Sequence, residues 1–347
     1  MRSIFYTLLI ASSAVLATNP VAAQTAKARK TGSVLIFMGH RSGPNNITLL
    51  SVTNTKGEPQ TPTSFGGSVD AHFEYVNVTM NPLDPFCPTN CTIFNRHEFL
   101  TPNDTITVLT RCHNAPGPNA GQGYVVVTAQ DPEQSNVDIC FDHLMGSQFV
   151  FNASGMFLIL NAQPIQCAAG PEGTPTDLNG NNMQDFDGNE YVPLSDKIMI
   201  ESFIAGPRTR LCIVNLTGEC TDTNTLYFSV YNDNEFPLSA TRPFKIWFDQ
   251  PLEDVAPLFR YTFLASLPND PTELDIFCNN DDDLETGWAI IESIGVRRAD
   301  GISVTDDGVV VGCIAVGIGG DPLLWESDEP QYNGLFLGRP SVGPTGP

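Results

Sequence analysis

Between Asp177 and Glu190 the chain reads Asp-Leu-Asn-Gly-Asn-Asn-Met-Gln-Asp-Phe-Asp-Gly-Asn-Glu. Side-chain oxygens recur at alternate positions: Asp177, Asn179 and Asn181, then Asp185 and Asp187, with Glu190 just beyond. Oxygen donors spaced this way suit a hard divalent cation; a solvated Asn/Asp/Gly linker of the same composition is the alternative. A second set of residues could do acid–base work. Asp142-His143 follows Cys140 after Phe141, and His97, His113 or Asp138 could fold beside it. Neighbouring residues on a strand point to opposite faces, so Asp142 orients His143 only where the strand is bulged or has ended. The chain holds no His-x-x-x-His, and His97-Glu98 lacks the second histidine of a metalloprotease helix. Gly39-His-Arg-Ser-Gly43 is misspaced for a nucleophile elbow. A glycosidase-like carboxylate pair needs proximity only in space, and 39 acidic residues make such pairs unspecific.

The 177–190 segment resembles the calcium loop of EF-hand and dockerin-type proteins. Asp177, Asn179 and Asn181 match loop positions 1, 3 and 5, Met183 offers a backbone carbonyl, and Asp185 falls at position 9. Asn182 stands where glycine is usual, and asparagine tolerates the left-handed conformation required there. Gly188 stands where the bidentate acid is usual, leaving Asp187 or Glu190 to replace it. The resemblance covers about fourteen residues, with no helical pattern on either side, and implies calcium stiffening a joint. Asp281-Asp282-Asp283 with Glu285 reads as a surface loop with a weaker cation site behind it.

Aromatic residues allow sugar stacking. Trp325, in the acidic run Leu324 to Glu329, is the first candidate for ligand contact; Trp247 and Trp288 are the others.

The compartment follows from the first residues. Met1-Arg2, an apolar stretch from Ile4 to Leu16 and Val21-Ala22-Ala23 form a secretory signal cleaved before Gln24. A secreted, periplasmic or cell-surface protein is expected, with no membrane span, because the apolar stretch is shorter than the about 20 residues a bilayer requires. A formal net charge of −22 argues against nucleic acid and anionic membranes as partners. Nine cysteines in an oxidising compartment favour disulfides. The expected pairs are Cys112–Cys140, Cys278–Cys313, Cys212–Cys220 and Cys87–Cys91, with Cys167 left over. Zinc on Cys87, Cys91, Cys112 and His113 is the competing reading.

Elements to position these residues are short runs of Val, Ile, Thr, Phe and Tyr between Gly, Pro, Asn and Asp, an all-β pattern. Strands are expected near 34–38, 47–53, 72–78, 98–100, 105–109, 124–129, 137–141 and 157–160. A second series falls near 198–203, 211–214, 225–231, 244–248, 259–264, 274–277, 288–294 and 309–318. Four landmarks recur in order: Thr48–Asn54 with Leu226–Asn232, Phe99-Leu100 with Phe263-Leu264, Cys112 with Cys278, and Gly123-Tyr124 with Gly287-Trp288. They predict an internal duplication: tandem antiparallel β-sandwiches, immunoglobulin-like or jelly-roll-like. The segmentation is signal 1–23, flexible leader 24–32, sandwich 33–162, linker 163–193, sandwich 194–331 and disordered tail 332–347. The functional expectation is an exported structural, adhesive or ligand-binding protein, calcium-stabilised, meeting carbohydrate or another surface protein. A secreted carbohydrate-active hydrolase is the alternative.

Overall fold

A computed structural model describes residues 30–42, 46–115, 121–152, 157–194, 197–205, 209–217, 219–232, 237–267, 285–301, 303–305, 310–317, 332–337 and 339–340. The signal segment, most of the leader, Asp281–Asp283 and Trp325 lie outside them.

The first half supplies β1 (Val34–Arg41), β2 (Asn46–Asn54), β3 (Val69–Thr79), β4 (Asn90–Leu100), β5 (Thr105–Leu109), β6 (Gln122–Gln130), β7 (Leu144–Asn152), β8 (Phe157–Asn161) and β9 (Gln163–Ile165). The second supplies β10 (Lys197–Ile204), β11 (Arg210–Asn215), β12 (Thr223–Asn232), β13 (Pro237–Phe244), β14 (Trp247–Pro251), β15 (Thr286–Arg297), β16 (Ser303–Thr305), β17 (Val310–Gly317), β18 (Tyr332–Leu337) and β19 (Arg339–Pro340). All pairings are antiparallel. Sheet I runs β5-β2-β7-β8 and sheet II β4-β3-β6-β1-β9; sheet III runs β14-β11-β17-β18 and sheet IV β13-β12-β15-β10-β19. The strand order of sheets I and II is thus repeated in sheets III and IV.

Side-chain alternation explains the layering. Leu35, Phe37, Phe73, Tyr75, Val125 and Val127 turn into a core shared with Leu50, Val52 and Leu144 of sheet I. Their neighbours Ile36, Met38, Val76, Tyr124 and Val126 turn the other way, onto Cys212, Val214, Trp247 and Val311 of sheet III. Sheet III's opposite face, with Leu211, Ile213 and Phe248, closes a core with Ile198, Phe228 and Ile291 of sheet IV. Sheet II is therefore covered on both faces, which is why Val34–Met38 is continuously apolar and buried, whereas β12 alternates buried with half-buried positions.

A bulge helps fasten the halves. Between Phe37 and His40, two residues of β1 face one of β6. The Met38 carbonyl there accepts hydrogen bonds from Trp247 Nε1 at 2.8 Å and Cys212 Sγ at 3.0 Å. Gly123, at φ +151°, faces Asn77; a Cβ there would lie 1.9 Å from the Val76 carbonyl oxygen, so only glycine fits. Gly287 holds the matching place opposite Asn232, where a Cβ would lie 2.4 Å from the Tyr231 oxygen.

Several expectations need correction. Val137–Phe141 forms isolated bridges at Asp138 and Ile139 rather than a strand, while Leu144–Asn152, which had no expected strand, is β7. Residues 259–264 form no strand: Pro257 opens a single 3-10 turn ending at Phe259, Arg260 is extended, and Tyr261–Leu264 forms a separate helical turn. Residues 332–337 and 339–340, in the tail expected to be disordered, supply β18 and β19. Thr31 and Gly32 of the leader are held, the first by Asp142 and the second by Leu144. Thr48–Asn54 and Leu226–Asn232 fall on β2 and β12, which take different places in their sheets, and Phe263-Leu264 is helical while Phe99-Leu100 ends β4.

The disulfides are Cys91–Cys220 and Cys140–Cys167, not Cys87–Cys91, Cys212–Cys220 or Cys112–Cys140. Strand β9 runs beside β1 and delivers Cys167 to Cys140, with Cα atoms 5.2 Å apart. Cys91, on edge strand β4, meets Cys220 of the second half across the junction, with Cα atoms 6.0 Å apart. Cys112, on a one-turn helix, is exposed and unpaired; Cys87 is also free, and burial pushes its thiol up to about 11. Cys212 faces Cys313 in the register of β11 and β17, and the Cys278 partner expected for Cys313 lies outside the described residues.

Candidate functional site

The expected linker is a folded strap across sheet II. The Cys140–Cys167 bridge pins its start. Cys140 N–H donates to Thr174 O at 2.8 Å and Thr176 N–H to Asp138 O at 2.9 Å. Tyr191 is wholly buried, its hydroxyl 2.9 Å from Thr176 Oγ1 and its ring beside Phe186. Gln184 Nε2 donates to Thr128 Oγ1 and to Asp138 Oδ2, tying the strap to the sheet's outer face.

Within the strap, Asp177 folds the loop around its own carboxylate. Oδ1 accepts the N–H groups of Gly180 (2.7 Å) and Asn181 (3.1 Å), and Oδ2 that of Asn182 (3.1 Å). Asn179 Oδ1 accepts from Asn181 N–H, and Asn181 Oδ1 from Met183 N–H, so successive side chains cap the turn from inside. Asn182 takes the left-handed conformation at φ +57°, the property expected of loop position 6. The side-chain amides of Asn179 and Asn181 converge on Asp185 Oδ2, at 2.6 and 3.2 Å. Four candidate residues thus come together: two carboxylates and two carboxamides. Oxygen-only donors of this kind fit calcium rather than zinc or copper. Rotating either amide about its Cγ turns an oxygen toward the space its nitrogen now faces. Among the described residues no group of three or more His, Cys, Asp or Glu stands ready to hold a metal.

The remaining two candidates have other work. Glu190 is buried, Oε1 accepting Leu178 N–H at 2.8 Å and Oε2 accepting Asp185 N–H at 3.3 Å. It staples the two ends of the loop together, and both oxygens face backbone. Asp187 turns to Asn189, whose backbone and side-chain N–H groups hold its carboxyl below the usual carboxylate range. Gly188, at φ +97°, turns the chain between them.

The acid–base candidates stand apart. Asp142 Oδ1 accepts from Ser33 Oγ (2.8 Å) and Cys167 N–H (2.9 Å), fastening the strap. His143 Nε2 lies 3.5 Å from Glu172 and its ring edges Phe141. His97 pairs with Asp70 at 2.9 Å and stacks on His72, ring centroids 4.6 Å apart. Burial, and then the neighbouring His97, push the His72 pKa down. His113 bridges the Tyr75 hydroxyl (2.7 Å) and Glu98 (3.1 Å). His40 reaches Ser42 Oγ at 3.3 Å but is buried, and burial drives its pKa down to about 3. Such an imidazole is a weak base with no path to substrate. An open cavity of about 420 Å³ lies beside Lys56, Phe65, Asp131, Glu133, Phe141 and Glu172. Its lysine is already paired with Glu58 and Glu172.

Sequence reading missed the Glu190 staple and the His72–His97 stack. The second depends on the β3–β4 register, which sets His72 opposite His97 and no local motif reveals. The first had a signal: an acid just beyond the loop, directly before the apolar pair Tyr191-Val192.

No helix among the described residues is long and apolar enough to cross a membrane. No protein-family model, curated protein or solved structure matches the chain.

Proposed function

We propose that this is an exported structural or adhesive β-sandwich protein that binds calcium in the Asp177–Asp185 loop. The observation carrying this reading is the gathering of Asp177, Asn179, Asn181 and Asp185 around one turn, with Asn182 left-handed and Glu190 stapling the loop shut. The protein's own residues fix the loop and orient oxygens, and the ion would replace amide-to-carboxylate contacts with coordination. Because the strap lies over sheet II, an ion there would stiffen the layer from which both halves hang. The histidines and carboxylates weighed for catalysis are dispersed over separate pairs, which favours a non-catalytic role over the hydrolase alternative.

Thermal unfolding with calcium and with chelator tests the reading. At a hundredfold excess over Kd an ion bound only by the folded state adds about 2.7 kcal/mol, which we predict raises the midpoint by roughly 5 °C. Asp177→Ala should remove that rise. An identical midpoint in both conditions would exclude the ion.

A further inference from the structure

Sheets II and III are each packed on both faces, whereas sheets I and IV have an outward face that no described residue buries. The sheet I face has an unusual composition for a chain with 39 acidic and 17 basic residues. On sheet I every outward position of β2 from Ile47 to Thr53, of β5 from Thr105 to Leu109 and of β7 from Met145 to Phe151 is uncharged. Register aligns Leu109, Leu49, Phe149 and Ile159 in an apolar row across all four strands. Ile47 and Ile159 are each 44% exposed. On sheet IV the outward face centres on Tyr231 and Trp288, stacked at 4.3 Å and 9°, with Ile290 and Met199 beside them. Met199 is 38% exposed; of the charges nearby, Lys197 and Glu292 neutralise each other at 3.0 Å, and Glu201 stands exposed in the β10 bulge opposite Trp288.

The chain itself indicates what covers such a face. Sheet IV has the strand order of sheet II, and Asn232 opposite Gly287 corresponds to Asn77 opposite Gly123. Aligned on those pairs, Tyr231, Trp288 and Ile290 take the places of Val76, Tyr124 and Val126. In sheet II those residues are buried against sheet III, whose own strand order is that of sheet I. The internal junction is therefore heterologous, the back of one sandwich on the front of the next, and such a contact can repeat from molecule to molecule.

We propose that copies of this chain stack head to tail, the outward face of sheet IV in one against the outward face of sheet I in the next. The contact is not an identical copy of the internal one. Ser51, Thr53 and Thr105 hold the places of Cys212, Val214 and Trp247, so the incoming sheet seats over the row from Leu109 to Ile159. The proposal rests on the structural, non-catalytic reading above and names its partner, but does not require the ion.

Sedimentation equilibrium of the purified chain tests it, with Trp288→Glu to spoil sheet IV and Phe149→Glu to spoil sheet I. Met199→Glu and Ile159→Glu are the second pair, at exposed positions where the fold tolerates charge; circular dichroism verifies folding in each. The wild type is expected to grow beyond a dimer as concentration rises, and each variant alone to stay monomeric. Mixing a sheet IV variant with a sheet I variant should restore a dimer and nothing larger, because each retains one intact end. A wild-type monomer at all concentrations overturns the proposal, as does a sheet I variant that still dimerises alone, which would mean a two-fold sheet IV contact. A monomer that keeps its calcium-dependent melt sinks the assembly and leaves the ion loop standing. A monomer whose Trp288 fluorescence responds to oligosaccharides assigns the face to carbohydrate and equally overturns stacking.

Discussion

Asp249 sits between two arginines from opposite halves of the chain, Arg41 and Arg210, with Arg210 Nε 2.9 Å from its carboxylate. Burial alone would push its carboxyl up; the two guanidinium groups outweigh that and hold it down to about 2. A carboxyl whose folded-state pKa lies below its unfolded value of about 3.9 contributes stability that is complete above that value. The contribution is lost as pH falls through the folded-state value. Asp249→Asn should therefore cost about 2 kcal/mol at neutral pH, the scale of hydrogen bonds to charged groups. The gap between variant and wild type in urea midpoint should shrink as pH drops from about 4 towards 2. A pH-independent gap would mean that shape, not charge, holds the junction. Neither arginine could be assigned to Asp249 from sequence, since 208 residues separate Arg41 from it. The loop residues were more legible, because Asp177, Asn179, Asn181 and Asn182 act on neighbours two to six residues away.

The strap shows what composition hides. Gly, Asn, Asp and Pro between two apolar series read as a free linker, yet Tyr191 and Phe186 anchor this one and a disulfide closes it. Removing the bridge with Cys140→Ser and Cys167→Ser together should destabilise the chain by about 3 kcal/mol, given a loop of moderate length. Hydrogen exchange should rise first at Thr176 and Tyr191 N–H. Unchanged protection there would show that Tyr191 packing alone holds the strap. Strand periodicity located most elements well, from Val34–Met38 to Trp288–Ile294. It failed at Val137–Phe141, where Ile139 and Phe141 do point into the core but the backbone makes a single bond to β6, from Ile139 N–H to Ala129 O, and otherwise meets the strap at Asp138 and Cys140. Cysteine pairing failed for the same reason: the partner of Cys140 lies just past the end of β9, whose place beside β1 depends on tertiary packing.

At the scale of the molecule, two sandwiches of one strand order share a third core between them. The landmark that best matched the architecture is Gly123 with Gly287, because each is forced by a close backbone approach that no side chain survives. Thr48–Asn54 and Leu226–Asn232 resemble each other in sequence but lie on strands with different places in their sheets. The layering also explains the uninterrupted apolar runs Val34–Met38 and Leu211–Val214, since sheets II and III are each covered on both faces, and the alternation of β12 in sheet IV, which is covered on one. Function was least legible, for the relevant faces are assembled from strands far apart in sequence.

Calcium uptake by the loop in the strap, as proposed, is measured by isothermal titration calorimetry of the chelator-treated chain. One calcium ion per chain should bind, binding should vanish in Asp177→Ala and Asp185→Ala, and Asp187→Ala should leave it intact because that carboxylate faces Asn189. Absence of any binding heat or uptake by the folded wild-type chain, or uptake untouched by Asp177→Ala, would contradict the account.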